Sequence, residues 1–120
     1  MKRLITLASL LGVLLFVSCG QQYDAECLVK DFVKQNALNP DKVDILSFSK
    51  LNTTKVIKDS LVQDMQQRES PVFKSGINYA MKTSGNMLYF IRMEYVYDEG
   101  DTLKQTFYLD EQLEQVVAFK

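Results

Sequence analysis

From residue 76 to the C-terminus, most large apolar side chains fall on odd-numbered positions: Ile77, Tyr79, Met81, Met87, Tyr89, Ile91, Met93, Tyr95, Tyr97, Leu103, Phe107, Leu109, Leu113, Val117 and Phe119. A period of two is the signature of strands with one face on a core. Polar breaks at Thr83-Ser84-Gly85, Glu99-Gly100-Asp101 and Asp110-Glu111-Gln112 divide the run into four strands, 76–82, 86–98, 102–109 and 113–119, joined by hairpins. A one-residue slip would turn a whole apolar set to solvent. Odd residues face odd residues across a hairpin only if the loop is odd in length. Three-residue loops at the three breaks predict Tyr79 opposite Tyr89, Met93 opposite Phe107, Ile91 opposite Leu109 and Leu103 opposite Phe119. A two-residue Glu99-Gly100 turn would set Met93 against Thr106 and is rejected on burial grounds.

The first half has a different period. Ala25, Leu28, Val29, Phe32 and Val33 follow the three-and-four spacing of an amphipathic helix over 24–36, stopped by Asn39-Pro40-Asp41. Residues 43–51 read as a strand of weak alternation, broken by Asn52-Thr53-Thr54. A second helix is expected near 59–69, with Leu61, Val62 and Met65 on one face, Asp59 as N-cap and Pro71 as stop. The expected fold is α+β: two N-terminal helices packed on one face of a four- to five-stranded antiparallel meander, a single domain over 24–120. In element order alone this layout resembles small cystatin-like or NTF2-like folds, and fold does not give function.

Chemistry-bearing residues are few. The chain has no His, which removes Ser-His-Asp and Cys-His catalysis and the commonest metal ligand. Fourteen basic against 15 acidic side chains, with no basic block, argue against nucleic acid as a partner. Asp98, Glu99 and Asp101 cluster at a hairpin tip, without the spacing of a calcium loop, and read as a solvated turn. Cys27 falls on the polar side of the first helix with Lys30 and Lys34, either covered by another part of the fold or open to an intermolecular disulfide. No catalytic residue, metal site or cofactor is expected. The even-numbered face of the meander draws attention instead, because it carries Phe90, Arg92 and Tyr108 among polar residues. Arg92 is expected opposite Tyr108, an aromatic–Arg–aromatic group suited to a partner.

The N-terminus reads as an address. Lys2 and Arg3 precede an uncharged, mostly apolar run from Leu4 to Val17. At about 1.5 Å per residue it spans roughly 21 Å, short of a bilayer's hydrocarbon core, as in a signal peptide. Phe16-Val17-Ser18-Cys19-Gly20 resembles the lipobox of bacterial lipoproteins, with Phe16 where that family usually has Leu. The resemblance implies cleavage after residue 18, acyl chains on Cys19, a short tether over 19–23, and attachment to a membrane through lipid. Gly20 after the cysteine, where inner-membrane retention uses Asp, implies the outer membrane, on either the periplasmic side or the cell surface. Asp59-Ser60-Leu61 and Asp101-Thr102-Leu103 resemble the acceptor tripeptide of Bacteroidota-type O-glycosylation, with Thr102 the more accessible acceptor and Ser60 the poorer one. The expected function is a non-catalytic binding or accessory module for an envelope protein or glycan complex. The alternative is a structural or assembly factor with no ligand of its own, and a homo-oligomer stays open.

Overall fold

The structure, a computed structural model, describes residues 20–55, 57–79 and 87–120. The chain is helical from residue 20, the first described, to residue 36 (α1). A 3-10 turn, Pro40–Lys42, leads into β1 (Val43–Phe48), followed by β2 (Asn52–Lys55), α2 (Asp59–Gln67), β3 (Met87–Tyr97), β4 (Thr102–Leu109) and β5 (Val116–Phe119). The class is α+β, with one antiparallel sheet in the order β1-β3-β4-β5 and β2 pairing with β3 beside β1. Residues 20–23, expected as a tether, are the opening turn of α1. Cys19 lies outside the described residues. The N-cap of α2 is Lys58, and Asp59 is its first residue, where a carboxylate meets the positive end of the helix dipole.

The odd-facing-odd rule holds across β3 and β4, but the register sits two residues away from the expected one. Ile91 faces Phe107, Met93 faces Gln105 and Tyr95 faces Leu103. The cause is the turn. Gly100 N–H donates to the Tyr97 carbonyl at 3.1 Å, and between them Asp98 and Glu99 have φ of 52° and 59°. Two consecutive left-handed residues make a type I′ turn, whose twist matches that of the strands. A Cβ on Gly100 would stand 3.1 Å from the Tyr97 oxygen, so glycine fits just after the turn.

The next connection is longer than expected. Phe119 faces Phe107 rather than Leu103, and Val116 faces Leu109, which leaves residues 110–115 as the loop. Buried Asp110 organises it, its Oδ1 accepting the N–H groups of Glu114 at 2.8 Å and Gln115 at 3.0 Å. A bulge in β5 puts Val116 on the face of Phe119 and turns Val117 to the opposite face, against its odd number.

The expected strand over 76–82 is not seen in its described part, since residues 76–79 are irregular and 80–82 lie outside the described residues. Tyr79 cannot pair with Tyr89, whose two neighbours are Thr53 and Leu109. That place beside β3 is taken by residues 43–55, which run along it as one edge strand with two extra residues. The first falls between Ile45 and Ser47. The second falls between Phe48, opposite Met93, and Asn52, opposite Phe90. Each extra residue flips the alternation. Val43, Ile45, Phe48 and Leu51 therefore all reach the same core despite their mixed parity. Gln22 of α1 spans the second irregularity: its Oε1 accepts Leu51 N–H at 2.7 Å and its Nε2 donates to the Ser49 carbonyl at 3.0 Å.

Two hydrophobic clusters lie on opposite faces of the sheet. On the odd face, Ala25, Val29, Phe32, Val33 and Ala37 of the α1 segment pack on Ile91, Met93, Tyr95, Phe107, Leu109, Val116 and Phe119. Full burial of each large apolar side chain contributes roughly 1.5–3 kcal/mol. Phe32 and Phe73 meet at 6.0 Å, and Phe73 and Phe119 at 4.7 Å. On the even face, Val62 and Met65 of α2 cover Leu88, Val117 and Ala118. The helices thus divide between the faces instead of sharing one. The reason is that β5's bulge and Leu88 give the even face an apolar corner of its own.

Candidate functional site

The even face grades from apolar to charged along β3. Its first part lies under α2. Next come Phe90 and Tyr108, register partners across β3 and β4, both half-buried, with ring centroids 6.3 Å apart and planes tilted by 43°. Tyr108 also packs against the α2 cluster, and the Lys120 ammonium stands over its ring at 6.0 Å, within cation–π range. One step along, exposed Arg92 faces Thr106. The expected pairing of Arg92 with Tyr108 is therefore replaced by Phe90 with Tyr108, a consequence of the two-residue change of register. Beyond Arg92, Glu94 pairs with Lys104 at 3.6 Å and accepts from Ser47 Oγ at 3.4 Å. Sequence reasoning missed this ion pair because it depends on the register; the alternating charges of β3 and β4 are its only local signal.

Arg92 is held at the backbone. Its N–H donates to Ser49 Oγ at 2.8 Å and its carbonyl accepts Ser49 N–H at 2.8 Å. The main chain beneath the guanidinium is thus fixed by the edge strand, while the side chain stays in water. A cation on a rigid base beside two anchored rings is suited to docking, since little freedom is lost there on binding.

No family model, curated protein or solved structure matches this chain. The remaining candidates are therefore placed by their geometry alone.

Cys27 is a free, half-buried thiol in a cleft between α1 and β1 lined by Lys30, Lys34, Pro40, Val43 and Ile45, so another part of the fold does cover one side of it. The Tyr23 phenol one turn earlier is raised above its ordinary value, first by hydrogen bonding to that thiol. Asp98 pairs with Lys42 at 3.6 Å, while Glu99 and Asp101 are exposed at the tip. Ser60 and Thr102 are both exposed, and so are the leucines that follow them, Leu61 at 52% and Leu103 at 38%. Both acceptor-like tripeptides therefore stand clear of the cores. The described residues hold no helix long and apolar enough to cross a membrane.

Proposed function

We propose that the chain is a lipoprotein of the bacterial outer membrane, anchored through acyl chains on Cys19, whose domain is a non-catalytic binding or accessory module for an envelope protein or glycan complex. The lipobox-like Phe16-Val17-Ser18-Cys19-Gly20 supports the anchor. The start of α1 by residue 20 supports a domain seated close to its lipid. Thr102 and Ser60 serve as O-glycan acceptors in this reading.

The observation that carries the binding reading is the exposed Arg92 end of the even face, beyond the part that α2 covers among the described residues. Exposed Arg92 rises from a backbone locked to Ser49, next to the Phe90–Tyr108 pair, where α2 no longer covers the sheet. Arg and Tyr are enriched among interface hot spots because each joins broad contact area to directed hydrogen bonds.

Two measurements test the two halves of the proposal. Mass spectrometry of the mature protein should find an acylated N-terminal Cys19, and Cys19→Ala should leave only unprocessed precursor; a different mature N-terminus refutes the anchor. A photo-crosslinking residue at position 92 should give discrete adducts in intact cells, abolished by Tyr108→Ala. Arg92→Ala should keep its thermal stability while losing about 1–3 kcal/mol of partner affinity. Adducts that persist unchanged in the Tyr108 variant would place the partner elsewhere.

A further inference from the structure

On the side of the molecule opposite Arg92, a cleft of about 400 Å³ opens between α1, residues 78–79 and the β4–β5 loop. That is within the size range of small-ligand sites. Its wall carries Asp31, Gln35 and Asn36 from α1, Asn78 and Tyr79 from the segment before β3, and Glu114 from the loop. Gln115 brings the amides to four against two carboxylates, and none of the described residues that line the cleft is Lys or Arg. Leu28, Phe32 and Val116 form the apolar part of the lining.

We propose that this cleft is a binding site for a neutral saccharide. Three features of the lining lead there. The first is its hydrogen-bonding inventory. A carboxylate accepts from two hydroxyls, and a carboxamide donates and accepts at once, which is the complement of a ring of vicinal hydroxyl groups. Among the described residues, the side chains of Asp31, Gln35, Asn78 and Glu114 have no hydrogen-bond or ion-pair partner of their own, so these groups are open to a ligand. The two carboxylates, Asp31 and Glu114, disfavour an anionic ligand.

The second feature is the ring. Tyr79 stacks on Phe32 with centroids 6.0 Å apart and planes 29° apart, and meets Phe119 at 6.2 Å. A fixed, half-buried aromatic ring presents a flat apolar surface to the C–H face of a pyranose, and its hydroxyl adds a polar tip. The third is rigidity. The loop that carries Glu114 and Gln115 is pinned by both of their N–H bonds to Asp110. Asn36 is fastened by its Nδ2 bond to the Phe32 carbonyl at 3.0 Å. The chain's end of α1 is stitched to the neighbouring segment by Lys74 N–H on the Asn36 carbonyl at 2.8 Å. A wall already ordered loses little freedom when it binds.

Acids beside an aromatic ring also suit an organic cation, but a cation can use only the carbonyl half of each amide, whereas a hydroxyl also accepts from its N–H groups. The amide-rich composition therefore favours the polyol. This inference rests on the chain being a binding module and names a ligand class for it, at a surface separate from Arg92.

The test is titration of the purified full-length protein, held in a sugar-free detergent, with maltotriose, cellotriose, mannotriose and xylotriose at millimolar concentration, followed by NMR. At least one saccharide should shift the side-chain amide signals of Gln35, Asn36 and Asn78. Asn78→Ala and Glu114→Ala should each weaken that binding tenfold or more, and Arg92→Ala should leave it unchanged. Three results overturn the proposal: no saccharide of the set shifts these amides, spermidine or choline shifts them in place of sugar, or binding survives both cleft substitutions. Arg92 crosslinks persisting while saccharide binding fails would remove the cleft and leave the protein-partner reading standing. Loss of the crosslinks alone would do the reverse.

Discussion

Tyr95 reaches diagonally across two strands to Gln105: its hydroxyl donates to Oε1 at 2.9 Å, although the tyrosine is only 1% exposed. Leu103 is the register partner of Tyr95, and Met93 that of Gln105, so the bond spans the intervening Glu94–Lys104 rung and ties two successive pairs on the same face. Burial also raises the Tyr95 phenol above its usual value, which keeps it a donor at every physiological pH. Gln105→Leu should strand that buried hydroxyl and cost about 1–3 kcal/mol. Tyr95→Phe removes the demand as well as the bond and should cost less, because half-buried Gln105 can turn to water. Urea denaturation of both variants checks the order; a Tyr95→Phe loss larger than that of Gln105→Leu contradicts it.

Phe107 is fully buried between Ile91 and Phe119 in the ladder and meets Phe32 and Phe73 edge-on at 5.8 and 6.3 Å. Phe107→Ala should cost about 3–5 kcal/mol, enough to consume much of a small domain's stability. A melting temperature within a degree or two of wild type would mean that this ring does not occupy the centre of the core.

Gln22→Ala should act locally. It deletes both side-chain bonds to the edge strand at Ser49 and Leu51, at a cost of about 1–2 kcal/mol. Hydrogen exchange should show the Leu51 amide losing protection while the central β3 amides keep theirs. Uniform loss across the sheet would show instead that the clamp supports the whole fold.

Burial pushes the Tyr79 phenol up to about 12. In the unfolded chain the same group titrates near 10. Between those values the unfolded state has lost a proton that the folded state keeps, so stability is full below pH 10 and falls as pH rises toward 12. Tyr79→Phe should flatten that decline, measured by chemical denaturation at successive alkaline pH values. An unchanged slope would assign the alkaline loss to other groups.

The sheet was legible where alternation is undisturbed. The odd face of β3 and β4, from Ile91 to Leu109, follows from parity alone. What could not be read depends on backbone conformations that side chains signal poorly. Asp98 and Glu99 adopt positive φ without being glycine, so the turn falls a residue earlier than Gly100 suggests and the register moves by two. The two extra residues along 43–55 and the bulge at Val117 each invert parity without leaving a marker. The candidate face kept its three members, since Phe90, Arg92 and Tyr108 share parity, but their pairing changed with the register. The polar cleft was invisible in sequence, because Asp31, Tyr79 and Glu114 are joined only by tertiary structure.

The irregular edge has a consequence for the chain's behaviour in company. An open sheet invites strands from neighbouring molecules wherever a straight row of unpaired amides and carbonyls runs along its border. Here the 43–55 border changes step twice, so an incoming strand finds no continuous row to copy. At the opposite border β5 is four residues long, and Gln66 of α2 donates to the Val117 carbonyl at 2.9 Å. Among the described residues both borders are thus poor templates for an added strand, which disfavours aggregation by sheet growth.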